Sequence, residues 1–173
     1  MKNLLSAMTF GVMLTAGAMG TAHAQRTPVP MVQFENQTWH APAGKAQSEA
    51  EVREGIVKAI QSHSAERHYP WQVDSDAAGK IGASVTVRRS HIARVAISYT
   101  SNTFSVVYAG SEKLNVGEMN CAGRMPNSPC QTAPLKGNTS NSTGNRGTMV
   151  IHPYYNAWVG DLVKAIRDQL SRG

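Results

Sequence analysis

Between residues 84 and 108 the chain alternates apolar and polar side chains with period two, three times over, and this pattern constrains the fold more than any other feature. Val85 and Val87 are interleaved with Ser84, Thr86 and Arg88; Val95, Ile97 and Tyr99 with Arg94, Ala96 and Ser98; Phe104, Val106 and Tyr108 with Ser105 and Val107. Such alternation specifies strands with one buried and one wet face. The polar run Thr100-Ser101-Asn102-Thr103 joins the last two as a hairpin, and pairing Tyr99 with Phe104 sets Ile97 opposite Val106 and Val95 opposite Tyr108. The first two strands must pair so that Val85 and Val87 share a face with Val95 and Ile97. A three-residue loop at Ser90-His91-Ile92 does this, placing Val87 opposite Val95 and Arg88 opposite Arg94. Trp71 to Asp74 is a further short strand, closed by a polar turn containing Gly79.

Helices flank these strands. Ser48 and Glu51 form a capping box, and Val52, Ile56, Ala59 and Ile60 follow as an apolar stripe that ends near Ser64. Pro153 opens a second helix, in which Trp158, Leu162, Ile166 and Leu170 recur every four residues, widened by Val159 and Val163. Gly160 in its middle predicts close packing there. The fold class is therefore α+β: a two-layer sandwich in which a three- to four-stranded antiparallel sheet carries both helices on one face. Trp158, Leu162 and Ile166 are expected against Val85, Val95, Ile97, Phe104 and Val106.

The chain divides into three parts. Residues 1–24 read as a signal peptide: Lys2, a charge-free apolar run from Leu4 to Ala18, and the small-x-small pattern Ala22-His23-Ala24, which puts the mature start at Gln25. The apolar run is too short for a transmembrane anchor, no second long apolar run follows, and no cysteine stands at the junction to take a lipid. Residues 25–47, with Pro28, Pro30, Pro42 and Gly44, form an extended leader in which Val32, Phe34 and Trp39 touch the body. Residues 48–173 form one domain, interrupted at about 113–150 by a flexible insertion whose tract Lys136–Gly147 is polar and of low complexity. A short strand at Met149-Val150-Ile151 lies at its end.

Export sets the meaning of composition. Losing Lys2 takes the basic side chains from 17 to 16 against 11 acidic ones, and the net charge from +6 to +5. A periplasmic or secreted basic protein meets anionic envelope polymers, lipid headgroups or other envelope proteins rather than nucleic acid, for which there is no aromatic-plus-basic motif. Cys121 and Cys130, alone in an exported chain, most simply form one disulfide, contributing roughly 2.7 kcal/mol by loop closure. His40, His63, His68, His91 and His152 show no metal-ligand spacing, so no metal is expected, and no phosphate-cradling, dinucleotide or nucleophile-elbow motif implies a cofactor or a hydrolase.

Three runs carry a resemblance: Arg89-Ser90-His91-Ile92-Ala93-Arg94-Val95-Ala96-Ile97-Ser98-Tyr99; Phe104-Ser105-Val106-Val107-Tyr108, followed by Ser111 and Leu114; and Ile151-His152-Pro153-Tyr154-Tyr155-Asn156-Ala157-Trp158-Val159. The chain resembles a family of small, uncharacterised exported bacterial proteins, many of them lipoproteins, with the patterns R-x-H-x-A-x-V-x-I-x-Y, S-x-x-L and I-H-P-x-Y-N-x-W. The likeness spans about residues 50–115 and 150–170. It implies this fold and export, and no activity. The chain departs from it in lacking a lipidation cysteine and in carrying the long insertion.

Two functions follow from these residues. The first is a non-catalytic binding or envelope-associated module whose basic sheet face, formed by Arg88, Arg89, His91 and Arg94, takes an anionic phosphate or carboxylate ligand. The other is a small hydrolase-like or metal-assisted enzyme built on His91 and His152 with a distant carboxylate. Convergence of the two histidines and an acid in one concavity separates them.

Overall fold

The computed structural model describes residues 27–41, 46–66, 69–120, 131–134 and 148–173. Within these the chain is α+β, with two helices and two antiparallel sheets. Residues 1–24, expected to be a signal peptide, and both cysteines lie outside the described residues.

The larger sheet has the order β2-β6-β5-β4-β3, built from Phe34–Gln37 (β2), Trp71–Ala77 (β3), Lys80–Val87 (β4), His91–Tyr99 (β5) and Phe104–Glu112 (β6). It is thus five strands wide, wider than the alternation predicts. The fifth strand comes from the expected leader, where Phe34 pairs with Val106. Of the leader's three apolar contacts, Phe34 and Trp39 pack on the core, whereas Val32 is exposed.

The β5–β6 hairpin has the expected register: Tyr99 faces Phe104, Ile97 faces Val106 and Val95 faces Tyr108. The β4–β5 hairpin does not. Its loop is Arg88-Arg89-Ser90, so Val87 pairs with His91, Thr86 with Ile92 and Ser84 with Arg94. The parity is as expected, and Val85, Val87, Val95 and Ile97 share the buried face. Arg88, however, does not face Arg94. The observed register sets Ile81 opposite Ile97, extending a buried row through Val106 to Phe34. Both loops hold three residues, so the longer apolar row decides between the two registers.

Helix α1 (Glu49–Glu66) starts at the capping box: Glu51 Oε2 accepts the Ser48 N–H at 2.8 Å, and Ser48 Oγ accepts the Glu51 N–H at 3.3 Å. Val52, Ile56, Ala59 and Ile60 are all buried. Helix α2 (Pro153–Leu170) buries Tyr155, Val159, Leu162, Val163, Ile166 and Leu170. Trp158 lies at the margin of this stripe and is half-buried, because the stripe's centre runs through Tyr155, Val159, Leu162 and Ile166. The helices pack on each other and share one hydrophobic cluster with the buried sheet face. Their tight approach is at Gly55, where a Cβ would lie 2.6 Å from Leu170 Cδ2; at Gly160 the nearest atom, Phe34 Cζ, is at an ordinary 3.8 Å.

The smaller sheet has the order β1-β9-β7-β8, from Val29–Pro30 (β1), Gly117–Asn120 (β7), Gln131–Pro134 (β8) and Thr148–Ile151 (β9). Strands β7 and β8 fall inside the expected insertion, and their ladder runs to the pair Asn120 and Gln131, one residue short of each cysteine. Strand β9 leads directly into α2. The Asn156 side chain ties the chain after β1 to that helix, donating to Pro30 O at 2.8 Å and accepting from the Val32 N–H at 3.1 Å.

Candidate functional site

At one end of the larger sheet, where β4 and β6 finish and β3 and β5 begin, the N-terminus of α2 borders a groove of about 330 Å³. Its polar residues are Arg88, His91 and His152. Three aromatic side chains, Tyr69, Tyr154 and Trp158, form one wall, and Val87 and Leu114 contribute apolar surface.

Each polar residue is placed by backbone geometry. Arg88 and Arg89 occupy the centre of the β4–β5 turn with φ of 50° and 62°, and the Ser90 N–H closes it on Val87 O at 3.2 Å. Positive φ at both central positions is the geometry that Asn-Gly usually fills, so each arginine costs about 1–2 kcal/mol of local strain. His91 opens β5, sharing the parity of the buried Ala93 and Val95, and its ring therefore lies on the helix side of the sheet. Its Nδ1 is 3.3 Å from Ser90 Oγ. His152 is the N-cap of α2. Its N–H donates to Leu114 O at 3.0 Å, and its Nδ1 accepts the Tyr154 N–H at 3.3 Å. Nδ1 is thereby engaged by the backbone of the helix's first turn.

Arg94 belongs elsewhere. It alternates with Ala93 and Val95, so it projects from the opposite face of the sheet, and its guanidinium is 2.7 Å from Glu112 Oε1. The expected four-member basic patch is therefore split. Arg88 and His91 line the groove, Arg89 sits beside them at the turn without lining it, and Arg94 is neutralised behind the sheet. No carboxylate among the described residues lines the groove or pairs with Arg88. The first turn of α2 contains no acidic residue, so the positive end of the helix dipole adds to the same field.

The aromatic wall is continuous. Tyr154 and Trp158, four residues apart on α2, have ring centroids 6.1 Å apart, and Tyr69 stands 6.2 Å from Trp158 on the other side. The His152 ring lies 5.0 Å from Tyr154. Residues from three separated stretches, His91, Leu114 and the His152–Trp158 run, thus meet at one place. The aromatic wall was not legible as a site. Trp158 reads as part of the apolar stripe of α2, Tyr154 enters only through the I-H-P-x-Y-N-x-W pattern, and nothing local links Tyr69 to them.

No protein-family model, curated protein or solved structure matches this chain. Among the described residues no helix is long and apolar enough to cross a membrane, and no three potential ligands are grouped to hold a metal ion.

Proposed function

We propose that the protein is an exported, non-catalytic binding module that takes an anionic ligand in the groove at the end of the larger sheet. The observation that carries this reading is the convergence of Arg88, His91 and His152 without a carboxylate among the described lining. A guanidinium and two imidazoles supply directed donors for a carboxylate or phosphate. Strain retained at Arg88 is of the kind that accompanies function, since a glycine or asparagine would remove it. The basic site is this groove rather than the outer sheet face. Residues 1–24 support export, which intact-mass measurement tests by a mature start at Gln25. In an envelope, the partners are acidic polymers or headgroups.

Titration of the mature protein with inorganic phosphate and with acetate, followed through the imidazole resonances, tests the site. Saturable, salt-sensitive shifts at His91 and His152 that weaken in Arg88→Gly are expected. Resonances that stay still, or move equally in the variant, overturn it.

The two histidines sharing one groove favour a second reading, acid–base catalysis. Among the described residues no carboxylate lines the groove. Hydrolysis of a phosphate or carboxylate ester that disappears in His91→Gln, with the fold intact, would establish it in place of simple binding.

A further inference from the structure

Building on that anion-binding reading, we infer that the ligand is an acidic saccharide, the charged terminal unit of a polymer, whose ring lies along the Tyr69–Trp158–Tyr154 wall while its acid group meets Arg88. Of the three exposed large apolar side chains among the described residues, two are here: Tyr69 at 37% and Tyr154 at 38% exposure. Aromatic surface held in water beside a cationic turn is a recognition feature that the sheet and helices do not need for stability.

The ring geometry selects the kind of ring it takes. A slot for a flat aromatic ligand needs two parallel faces about 7 Å apart, twice a van der Waals contact. Here neighbouring rings abut at 6.1 and 6.2 Å and are inclined by 32° and 55°. Nothing fits between them, and they form a curved wall. A flat base would stack on one ring only. A puckered sugar ring presents C–H groups in several directions to the tilted faces. The guanidinium of Arg88 matches a planar carboxylate with paired hydrogen bonds. At about 330 Å³ the groove is at the small end of ligand sites, suited to a terminal unit rather than a length of chain.

Calorimetric titration of the mature protein tests this with five probes: an oligosaccharide of glucuronate and N-acetylglucosamine, a neutral N-acetylglucosamine oligomer of equal length, acetate, inorganic phosphate and adenosine monophosphate. The acidic oligosaccharide should bind about tenfold more tightly than any other probe. Arg88→Gly should erase its advantage over the neutral oligomer, and Tyr154→Ala should weaken both sugars about tenfold. Tyr69→Ala, outside both helices, gives the same reading if Tyr154→Ala disturbs the start of α2. If acetate or phosphate binds as well as the saccharide and the tyrosine variants are silent, the saccharide is wrong and the anion site stands. Tightest binding of adenosine monophosphate also overturns the saccharide while leaving the anion site. If no probe binds, both fall.

Discussion

Arg88 and Arg89 show how a single residue's backbone separates what a sequence suggests from what it does. Both arginines are legible as basic residues near a hairpin, but their left-handed φ values follow from a register set many residues away. Because that conformation suits glycine, Arg88→Gly should leave stability within about 0.5 kcal/mol of the parent or raise it, whereas the β-branched Arg88→Val should lose about 1–2 kcal/mol in urea unfolding. Equal losses would show that the turn carries no strain. Tyr155 makes the second point at this scale. It is buried with its ring edge-on to Tyr108, and burial first, then the neighbouring Tyr108, pushes its hydroxyl well above the ordinary tyrosine value. The folded state thus keeps the proton that the unfolded chain loses from about pH 10 upward. Tyr155 contributes its full stability below that pH and progressively less above it. Melting temperatures measured through the alkaline range should fall more steeply for the parent than for Tyr155→Phe; parallel curves would remove burial of this hydroxyl as the cause.

Elements were readable where their signals are local. The capping box at Ser48 and Glu51, the stripe of α1 and the Pro153 start of α2 each depend on residues within about one or two turns, and all three are present. Ser48→Ala should therefore cost about 1 kcal/mol of stability by denaturant titration, because it removes the hydroxyl that accepts the Glu51 N–H. A variant as stable as the parent would mean that packing alone holds the start of α1. The β7–β8 ladder reaches Asn120 and Gln131, so a Cys121–Cys130 bond would close the same hairpin. Thiol counting under denaturing conditions without reductant should find no free cysteine, and reduction should lower the melting temperature only slightly; two titratable thiols would exclude the bond. The strands missing from the sequence reading, β1, β2, β7 and β8, are two to four residues long. Alternation cannot be recognised over so short a span, and pairing partners distant in the chain define these strands.

At the scale of the whole molecule, stability lies in the cluster shared by the helices and the buried sheet face. Leu162 is at its centre and fully buried, so Leu162→Ala should cost about 2–5 kcal/mol. Trp158→Ala, despite the larger deletion, should cost less, about 1–3 kcal/mol, because the indole is half-buried at the groove. The reverse order in equilibrium unfolding would place Trp158 in the core after all. The sequence by itself determined the α+β class, the two helices with the start of each, the buried face of β4, β5 and β6 and one hairpin register, since periodicity, capping and short turns act between near neighbours. Only the tertiary structure decided the second hairpin register, the width of the sheet, the pairing of Arg94 with Glu112 and the meeting of Tyr69, Arg88, His91 and His152 in one groove. These depend on contacts between residues far apart in the chain. Alternative pairings of equal parity are locally equivalent, and the choice among them lies with the apolar surface that the completed fold buries.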